Sequence, residues 1–278
     1  MKKLDTLFHS TSSLEILKDI ISKGFTPSYA KEKIGDRNVL IAMVSFSNIP
    51  IIEARTQVNY GEYSIGLKRS WGILNKLHPV TYTYKNSEQE FLLTRLIQDF
   101  ALFQVAPSLS NVKMDLDLIF EGFSGNFVEL FKATLKSGNV EEIRRYFGEI
   151  FKEISDLQIF FKHYIDTNKK GEIVHCFNDR EWRYIPEIQP KLIFQSDASG
   201  ENFNQDYLKY SKMKKPHLRE NCLKFELEDI EFIMVKDNIE VRSIVDELKI
   251  KFNDEKVMEA ILNGSLTVFS FEKLYNSI

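Results

Sequence analysis

The segment 7–12 has the sequence LFHSTS, a short apolar run that ends in a histidine and three hydroxyl side chains. Glu15 follows Ser12 at the spacing of a capping box, which predicts a helix from Ser13 onwards. His9 would therefore lie where a strand ends and a helix begins, a place where free helix N–H groups can bind a phosphate-bearing ligand. The alternative interpretation is that His9 is a packed, hydrogen-bonded residue.

The segment 178–184, with the sequence NDREWRY, places three charged side chains at alternate positions. On a strand, Asp179, Glu181 and Arg183 would share one face, and the aromatic side chains at 182 and 184 would face a core. A carboxylate among such neighbours can act as a general base or stabilise a developing cation. It would contribute little to packing, so we expect Glu181→Ala to leave the fold intact. The alternative is a solvated ladder of salt bridges.

The segment 59–64 has the sequence NYGEYS, in which Tyr60 and Tyr63 lie on either side of Gly61. Two tyrosines at the entry to a strand can stack on a planar ring, and the glycine would let the backbone approach that ring closely. The alternative is that one tyrosine packs in the core and the other lies on the surface.

Other residues that carry chemistry form weaker patterns. His175 and Cys176 lack the spacing of metal ligands with Cys222, so a zinc site is not expected. Cys176 as a nucleophile would need a histidine base, but His175 would face the other side of a strand. The basic cluster at 209–219 contains tyrosines, as a surface for single-stranded nucleic acid would, and its alternative is a solvated loop. No phosphate-binding glycine loop, dinucleotide fingerprint or metalloprotease motif occurs.

Length and composition limit the class of protein. The chain has 278 residues, 43% of them hydrophobic, which is enough for a substantial core. A formal net charge of −3 and a pI near 6.0 give no overall sign of nucleic-acid binding. Two cysteines fit a reducing cytosol, and no apolar run approaches the roughly 18–20 residues that span a bilayer. We therefore expect a cytoplasmic protein that does not enter a membrane.

Hydrophobic periodicity predicts strands and helices without a regular βαβ rhythm, which is typical of an α+β fold. A single domain is expected over 1–278, with a helical insertion at about 87–165 between strand-rich parts at 1–86 and 170–278. A loop and polar stretch is expected at 24–35. The predicted strands are 3–9, 39–47, 63–67, 80–84, 172–177, 181–185, 191–194, 223–227, 231–235 and 266–269, and the predicted helices outside the insertion include 12–23, 239–251 and 254–262.

Three of these residue types occur in a familiar order along the chain: His9 on a first strand, Tyr60 and Tyr63 before a middle strand, and Glu181 on a late strand. This order resembles that of ADP-ribosyltransferase-like domains. More specifically, the chain resembles the AbiGi-type abortive-infection proteins of bacteria. The motifs that carry the resemblance are FHST at 8–11, VSFSNIP at 44–50, YGEYSIGL at 60–67, WG at 71–72 and EWR at 181–183.

The resemblance to ADP-ribosyltransferases implies mixed or antiparallel sheets and NAD as the co-substrate. It implies that His9, helped by Ser10 or Thr11, holds the ribose of the nicotinamide half of NAD. Tyr63, or else Tyr60, would stack on the nicotinamide ring.

The same resemblance implies a catalytic role for Glu181, which would bind the ribose 2′-hydroxyl and stabilise an oxocarbenium-like transition state. A fixed carboxylate aimed at developing positive charge lowers the barrier electrostatically. Ser45 and Arg183 would also line the NAD site. Asp179 would orient the acceptor, although it is shorter than the Glu or Gln that some members of the superfamily carry there.

Two hypotheses for function follow from the resemblance. The first is an NAD-dependent ADP-ribosyltransferase of a bacterial anti-phage or toxin–antitoxin system, which modifies a nucleic acid or a protein. The second is a non-catalytic, antitoxin-like regulator that binds a partner toxin, since AbiGi-type proteins are described as the antitoxin-like half of a phage-defence pair. The hypotheses differ on whether His9, Tyr63 and Glu181 converge on one pocket.

Overall fold

The structure is a computed structural model that describes residues 5–34, 37–50, 53, 61–92, 149, 153, 156–167, 172–188, 192–194 and 218–276. Tyr60, most of the predicted helical insertion and most of the predicted basic cluster lie outside the described residues.

The described strands come from both ends of the chain. The strands of the N-terminal part are β1 Thr6–Thr11, β2 Ser28–Ile34, β3 Arg37–Ser47, β4 Tyr63–Lys68, β5 His78–Pro79 and β6 Thr81–Thr83. Those of the C-terminal part are β7 Phe161–His163, β8 Ile165–Thr167, β9 Ile173–His175, β10 Glu181–Tyr184, β11 Leu192–Phe194, β12 Ile230–Val235 and β13 Thr267–Ser270.

Five α-helices with described bounds accompany these strands. They are α1 Leu14–Lys23, α2 Arg69–Leu74, α3 Asn238–Phe252, α4 Asp254–Leu262 and α5 Phe271–Asn276. Short 3-10 helices cover Cys176–Asp179 and Leu227–Asp229. Among the helices of the described residues, none is both long and apolar enough to cross a membrane.

Nine of the described strands form one sheet, whose main path has the order β13-β12-β4-β1-β3-β10-β5. The long strand β3 serves two sets of neighbours: its first part pairs with β2 and β11, and its last part pairs with β10. Within the described sheet only β12 and β13 run parallel, and the other pairings are antiparallel. This mixed, mostly antiparallel architecture confirms the predicted α+β class.

One face of the nine-stranded sheet is covered by α1 and α3, and we call it the helix-covered face. It is defined by Leu7 of β1, Phe46 of β3 and Ile65 of β4, all nearly fully buried. Because side chains alternate along a strand, the neighbours of these residues point to the opposite face. There Phe8 packs with Ile49 and Phe232 in a separate cluster.

Helix α1 begins and ends much as its sequence predicts. Ser13 is the N-cap, and its side chain accepts the backbone N–H of Ile16 at 3.3 Å. The predicted capping residue was Ser12, so the cap is one position later than expected. At the other end Gly24 has φ of 87°, and its N–H donates to the carbonyl oxygen of Ile20 at 2.8 Å.

Three predictions of local structure are wrong. The strand predicted at 223–227 is instead an isolated bridge at Leu223, followed by the 3-10 helix Leu227–Asp229. The stretch predicted as loop at 24–35 contains β2, which pairs along its whole length with β3. The C-terminal end of the predicted helical insertion contains the strand β7 and the first residue of β8. In the last two places strand pairing decides the conformation. β2 forms a hairpin with the next strand, β3, and β7 pairs with the much earlier strand β6. Such pairing overrides a local helical or polar pattern.

Gly61 allows two parts of the backbone to approach closely. Its φ is 117°, and a Cβ atom there would lie 1.9 Å from the carbonyl oxygen of Thr11. The sequence predicted a close backbone approach at this glycine, towards a ligand ring. In the structure the approach is to the end of β1, which fixes the chain as it enters β4.

Gly61→Ala is expected to lower the free energy of unfolding by about 3 kcal/mol or more, because strain at positive φ is added to a backbone clash. Urea unfolding of the two proteins measures the difference. Gly264→Ala is the matched control, since Gly264 has φ of 77° with nothing within 4 Å of its added Cβ. An equal loss in the control would show that the close approach to Thr11 does not matter.

The chain divides into two compact units. One consists of Met1–Tyr82 and Phe160–Ile278 and contains the nine-stranded sheet. The other is Thr83–Ile159, of which the structure describes both ends. At its beginning, the Ser87 hydroxyl accepts the backbone N–H of Glu90 at 3.2 Å, as at the start of a helix.

Candidate functional site

The short strand β10 presents two chemically different faces. Glu181 and Arg183 are buried on one face, whereas Trp182 and Tyr184 pack against the large core on the other. This alternation was predicted from the sequence and is confirmed. It places Glu181 and Arg183 on the face opposite the helix-covered face.

Four charged side chains lie together on this face, and we call Glu32, Lys162, Glu181 and Arg183 the ion cluster. Arg183 Nε lies 2.7 Å from Glu181 Oε1, and Lys162 Nζ lies 2.8 Å from Glu181 Oε2. Arg183 Nη2 also lies 3.1 Å from Glu32 Oε2. The Ser45 hydroxyl donates to Glu181 Oε1 at 3.0 Å. Both carboxylate oxygens of Glu181 are therefore occupied by protein groups.

The ion cluster is largely removed from solvent. The side chain of Arg183 is 0% exposed, and those of Glu181, Glu32 and Lys162 are 7%, 13% and 18% exposed. The predicted alternative for this strand, a solvated ladder of salt bridges, is therefore wrong. Burial also changes the expectation for Glu181→Ala, which would leave Arg183 and Lys162 with Glu32 as their one carboxylate in the ion cluster and would destabilise the fold.

Opposite charges in the ion cluster shift the pKa values of their partners so that the ionised forms are favoured. Burial alone would raise the pKa of Glu181, but the positive charges of Arg183 and Lys162 outweigh it and lower that pKa to about 2. Burial alone would lower the pKa of Lys162, and the carboxylates of Glu181 and Glu32 raise it above its ordinary value instead. Both partners of the pair are thus ionised at neutral pH.

Acid is expected to destabilise the protein through Glu181. Its pKa falls from 4.5 to about 2 on folding, so its contribution is complete above pH 4.5 and is lost as the pH falls towards 2. A shift of this size corresponds to about 3 kcal/mol. Urea unfolding between pH 6 and pH 3 measures the first part of this loss, about 2 kcal/mol. Glu187→Gln, at an exposed ion pair, is the control. If the free energy of unfolding of Glu181→Gln shows the same pH dependence as the wild-type protein, groups other than Glu181 cause that dependence.

His9 lies on the helix-covered face inside an aromatic cluster. Its ring packs against Phe25 and Phe46, with ring centroids 5.3 and 5.7 Å away. Its Nδ1 atom donates to the carbonyl oxygen of Ser45 at 2.8 Å. Burial lowers the pKa of His9, and the hydrogen bond to Ser45 opposes this only in part. His9 is therefore a neutral, packed histidine, as the alternative interpretation of the sequence expected.

The hydroxyl residues after His9 divide between the two faces. Ser10 points to the opposite face, where its hydroxyl lies 2.8 Å from that of Ser64. Thr11 is 7% exposed and pairs with Tyr63 across β1 and β4. Neither residue has a contact with Glu181 among the described interactions.

Tyr63 belongs to the large core on the helix-covered face. Its hydroxyl donates to Glu240 Oε1 of α3 at 3.0 Å, which ties β4 to that helix. His9 and Tyr63 thus share one face, and Glu181 lies on the other. Ser45 is the link between them, because its carbonyl binds His9 and its hydroxyl binds Glu181.

Asp179 does not share a strand face with Glu181. It lies in the 3-10 helix Cys176–Asp179, and Arg180 then takes a left-handed conformation with φ of 43° before β10 begins. The prediction of an unbroken strand face from 179 to 183 is wrong, because this turn resets the alternation. Cys176, in the same 3-10 helix, is buried, and burial raises the pKa of its thiol, which disfavours a nucleophilic thiolate.

Three residues of the site were not predicted from the sequence. Glu32 lay in the supposed loop, and Lys162 lay in the supposed helix. Tyr82 was assigned only to a strand, but its hydroxyl accepts the backbone N–H of Glu181 at 2.8 Å. The described residues contain no group of three or more His, Cys, Asp or Glu side chains that could hold a metal ion.

Comparison with known proteins identifies the family. Residues 17–236 match a family model described as "Putative abortive phage resistance protein AbiGi, antitoxin". The chain is also 25% identical over 244 residues to the "Abortive phage resistance protein AbiGi" of Lactococcus lactis subsp. cremoris, covering 83% of this chain and 86% of that protein. No solved structure matches the chain. Since the family model spans well over half of its length, this chain belongs to the AbiGi family of abortive phage resistance proteins.

Proposed function

We propose that this chain is a non-catalytic, antitoxin-like regulator that acts by binding a partner toxin. The description of its family as an antitoxin supports this function. The observation that carries the proposal is the burial of Glu181, the one residue for which a catalytic role was predicted. Glu181 as a whole residue is 6% exposed, and its carboxylate is already neutralised by Arg183 and Lys162.

A carboxylate in this state is poorly suited to catalysis. To stabilise a developing cation it would have to face the reacting atoms, and both of its oxygens face protein cations instead. Exchanging either cation for a ligand would leave a buried charge unpaired. The placement of His9 and Tyr63 on the other face of the sheet supports the same conclusion.

Exposed apolar side chains on a separate two-stranded hairpin support a protein partner. Strands β8 and β9 pair only with each other among the described strands, and they place Ile165 and Ile173 on one face. These side chains are 43% and 71% exposed, and Phe177 just beyond the hairpin is 43% exposed. An isolated hairpin gains little stability in water, and exposed apolar patches commonly mark contact surfaces.

Co-expression with the products of the flanking genes tests the proposed function. We expect one product to arrest growth alone, and this chain to relieve the arrest and to co-purify with that product. Ile173→Asp should weaken the co-purification at least about tenfold, because a buried charge replaces an apolar contact. Ile239→Asp is the matched control, since Ile239 is 91% exposed on α3. Relief of arrest without binding would contradict the proposal.

An NAD-dependent ADP-ribosyltransferase acting on a nucleic acid or protein is the second candidate. The observation that favours it is the hydrogen-bonded path from His9 through Ser45 to Glu181, which joins three residues of the predicted NAD site. In that case NAD would have to bind on the face of the sheet that holds Ser45 and displace part of the ion cluster.

Incubation of the purified protein with labelled NAD separates the two candidates. Our proposal predicts neither nicotinamide release nor transfer of label, with the protein alone or with cell lysate. Release by the wild-type protein that is lost in a folded Glu181→Gln variant would establish the transferase. Circular dichroism of the variant provides the control for folding.

A further inference from the structure

The strands β6 and β7 form a two-stranded ribbon separate from the nine-stranded sheet. The chain passes from β6 into the compact unit Thr83–Ile159 and returns from it into β7. We call this pair of strands the ribbon. The two strands of the ribbon are thus far apart in sequence, and contacts to the rest of their own unit must hold them in place.

Both strands of the ribbon reach Glu181. On the β6 side, the Tyr82 hydroxyl accepts the backbone N–H of Glu181 at 2.8 Å. Just before β6, the backbone N–H of Val80 donates to the carbonyl oxygen of Glu181 at 2.9 Å. On the β7 side, Lys162 Nζ lies 2.8 Å from the carboxylate. The N–H, the carbonyl and the side chain of one residue are thus each bound by the ribbon or its approach.

Glu181 is the first residue of β10, so these contacts connect the ribbon directly to a strand of the nine-stranded sheet. Glu181 pairs with Ser47 of β3, near the middle of the nine-stranded sheet. Its carboxylate is held from the sheet side by Arg183 and Ser45, and from the ribbon side by Lys162. The same carboxylate therefore bridges two sheets that share no strand.

We propose that Glu181 is a clamp that holds the ribbon against the nine-stranded sheet. Releasing Lys162 or Tyr82 frees the ribbon while the sheet stays folded. This function is independent of toxin binding and of NAD chemistry, and it gives the buried carboxylate a positioning role.

The charge states of the clamp keep it closed over a wide pH range. Burial raises the pKa of Tyr82 to about 12, so its hydroxyl stays neutral near neutral pH. The pKa of Glu181 is lowered to about 2, against the effect of its burial, by Arg183 and Lys162. Opening therefore requires loss of a partner and does not follow from a change of pH near 7.

Hydrogen exchange of the full chain, followed by mass spectrometry, tests the clamp. Lys162→Met removes the contact from β7, and Tyr82→Phe removes the one from β6. In each variant we expect peptides covering 81–84 and 160–163 to exchange about tenfold faster or more, since local opening governs exchange. Peptides from β1, β4 and β12 should keep their wild-type rates. Lys76→Met, at an ion pair with side chains 80% and 82% exposed, is the control.

The pattern across peptides decides the outcome. Wild-type exchange of the ribbon in both variants would show that Glu181 does not hold it. Faster exchange of the ribbon and the nine-stranded sheet together would also overturn the proposal, because the ion cluster would then support the whole core. If Lys162→Met fails to fold, Tyr82→Phe retains every charge and supplies the same comparison.

Discussion

Methionine in place of Arg183 is expected to lower the free energy of unfolding by about 3–5 kcal/mol, because two buried carboxylates, Glu181 and Glu32, then share the single cation of Lys162. Arg183 is completely buried, and it binds Glu181 at 2.7 Å and Glu32 at 3.1 Å. Methionine retains much of the aliphatic volume, so the loss reports charge rather than packing. Urea unfolding at pH 7 measures it.

A control and a double variant sharpen this prediction. Lys76→Met removes a cation from an exposed pair with Glu187, 3.3 Å apart, and should change stability by less than about 0.5 kcal/mol. Adding Glu181→Met to Arg183→Met should recover part of the loss, since one unpaired charge disappears. A double variant as unstable as the sum of the two single variants would mean that Arg183 and Glu181 do not depend on each other.

Phe25→Ala is expected to lower the free energy of unfolding by about 3–5 kcal/mol through the cavity that it creates. Phe25 is 1% exposed and lies at the centre of an aromatic cluster. Its ring centroid is 5.0 Å from that of Phe46, 5.4 Å from that of Phe225 and 6.2 Å from that of Trp71. Thermal and urea unfolding measure the loss, and Phe25→Leu should lose markedly less.

The same substitution has a second, spectroscopic consequence. Phe25 covers the ring of His9, whose pKa is lowered by burial. In Phe25→Ala that pKa should rise towards 6.5, as water reaches the imidazole. An NMR titration of the His9 ring protons follows the change. An unaltered pKa with a large loss of stability would mean that the cavity closes without admitting water.

Local patterns predicted the strands that have a simple alternation. Trp182 and Tyr184 alternate with Glu181 and Arg183, and the structure sends the two pairs to opposite faces as period two requires. The same alternation did not extend back to Asp179, which lies in the 3-10 helix before β10. Arg180 takes a left-handed conformation that nothing in its residue type indicates. Asp179 therefore does not share the strand face of Glu181 and Arg183, contrary to the prediction from the sequence.

The partners of Glu181 could not be predicted from the sequence. Lys162 binds Glu181 directly, and Glu32 binds the Arg183 that pairs with it. Both residues lie on strands, where local patterns had predicted a helix and a loop. Phe160, Phe161 and Tyr164 have a spacing that fits one face of a helix as well as a strand, so periodicity could not separate the two structures. Ion pairs between distant segments leave no periodic trace in the sequence.

The strand order has a consequence for the synthesis of the protein. Strand β4 pairs with β12 through Ile65 and Ile233, and β3 pairs with β10 through Ser47 and Glu181. The N-terminal strands thus leave the ribosome long before the strands that complete their sheet, and such long-range pairing forms slowly. The sheet closes only after β10, β12 and β13 have been translated, so a chain terminated before β10 cannot form this sheet.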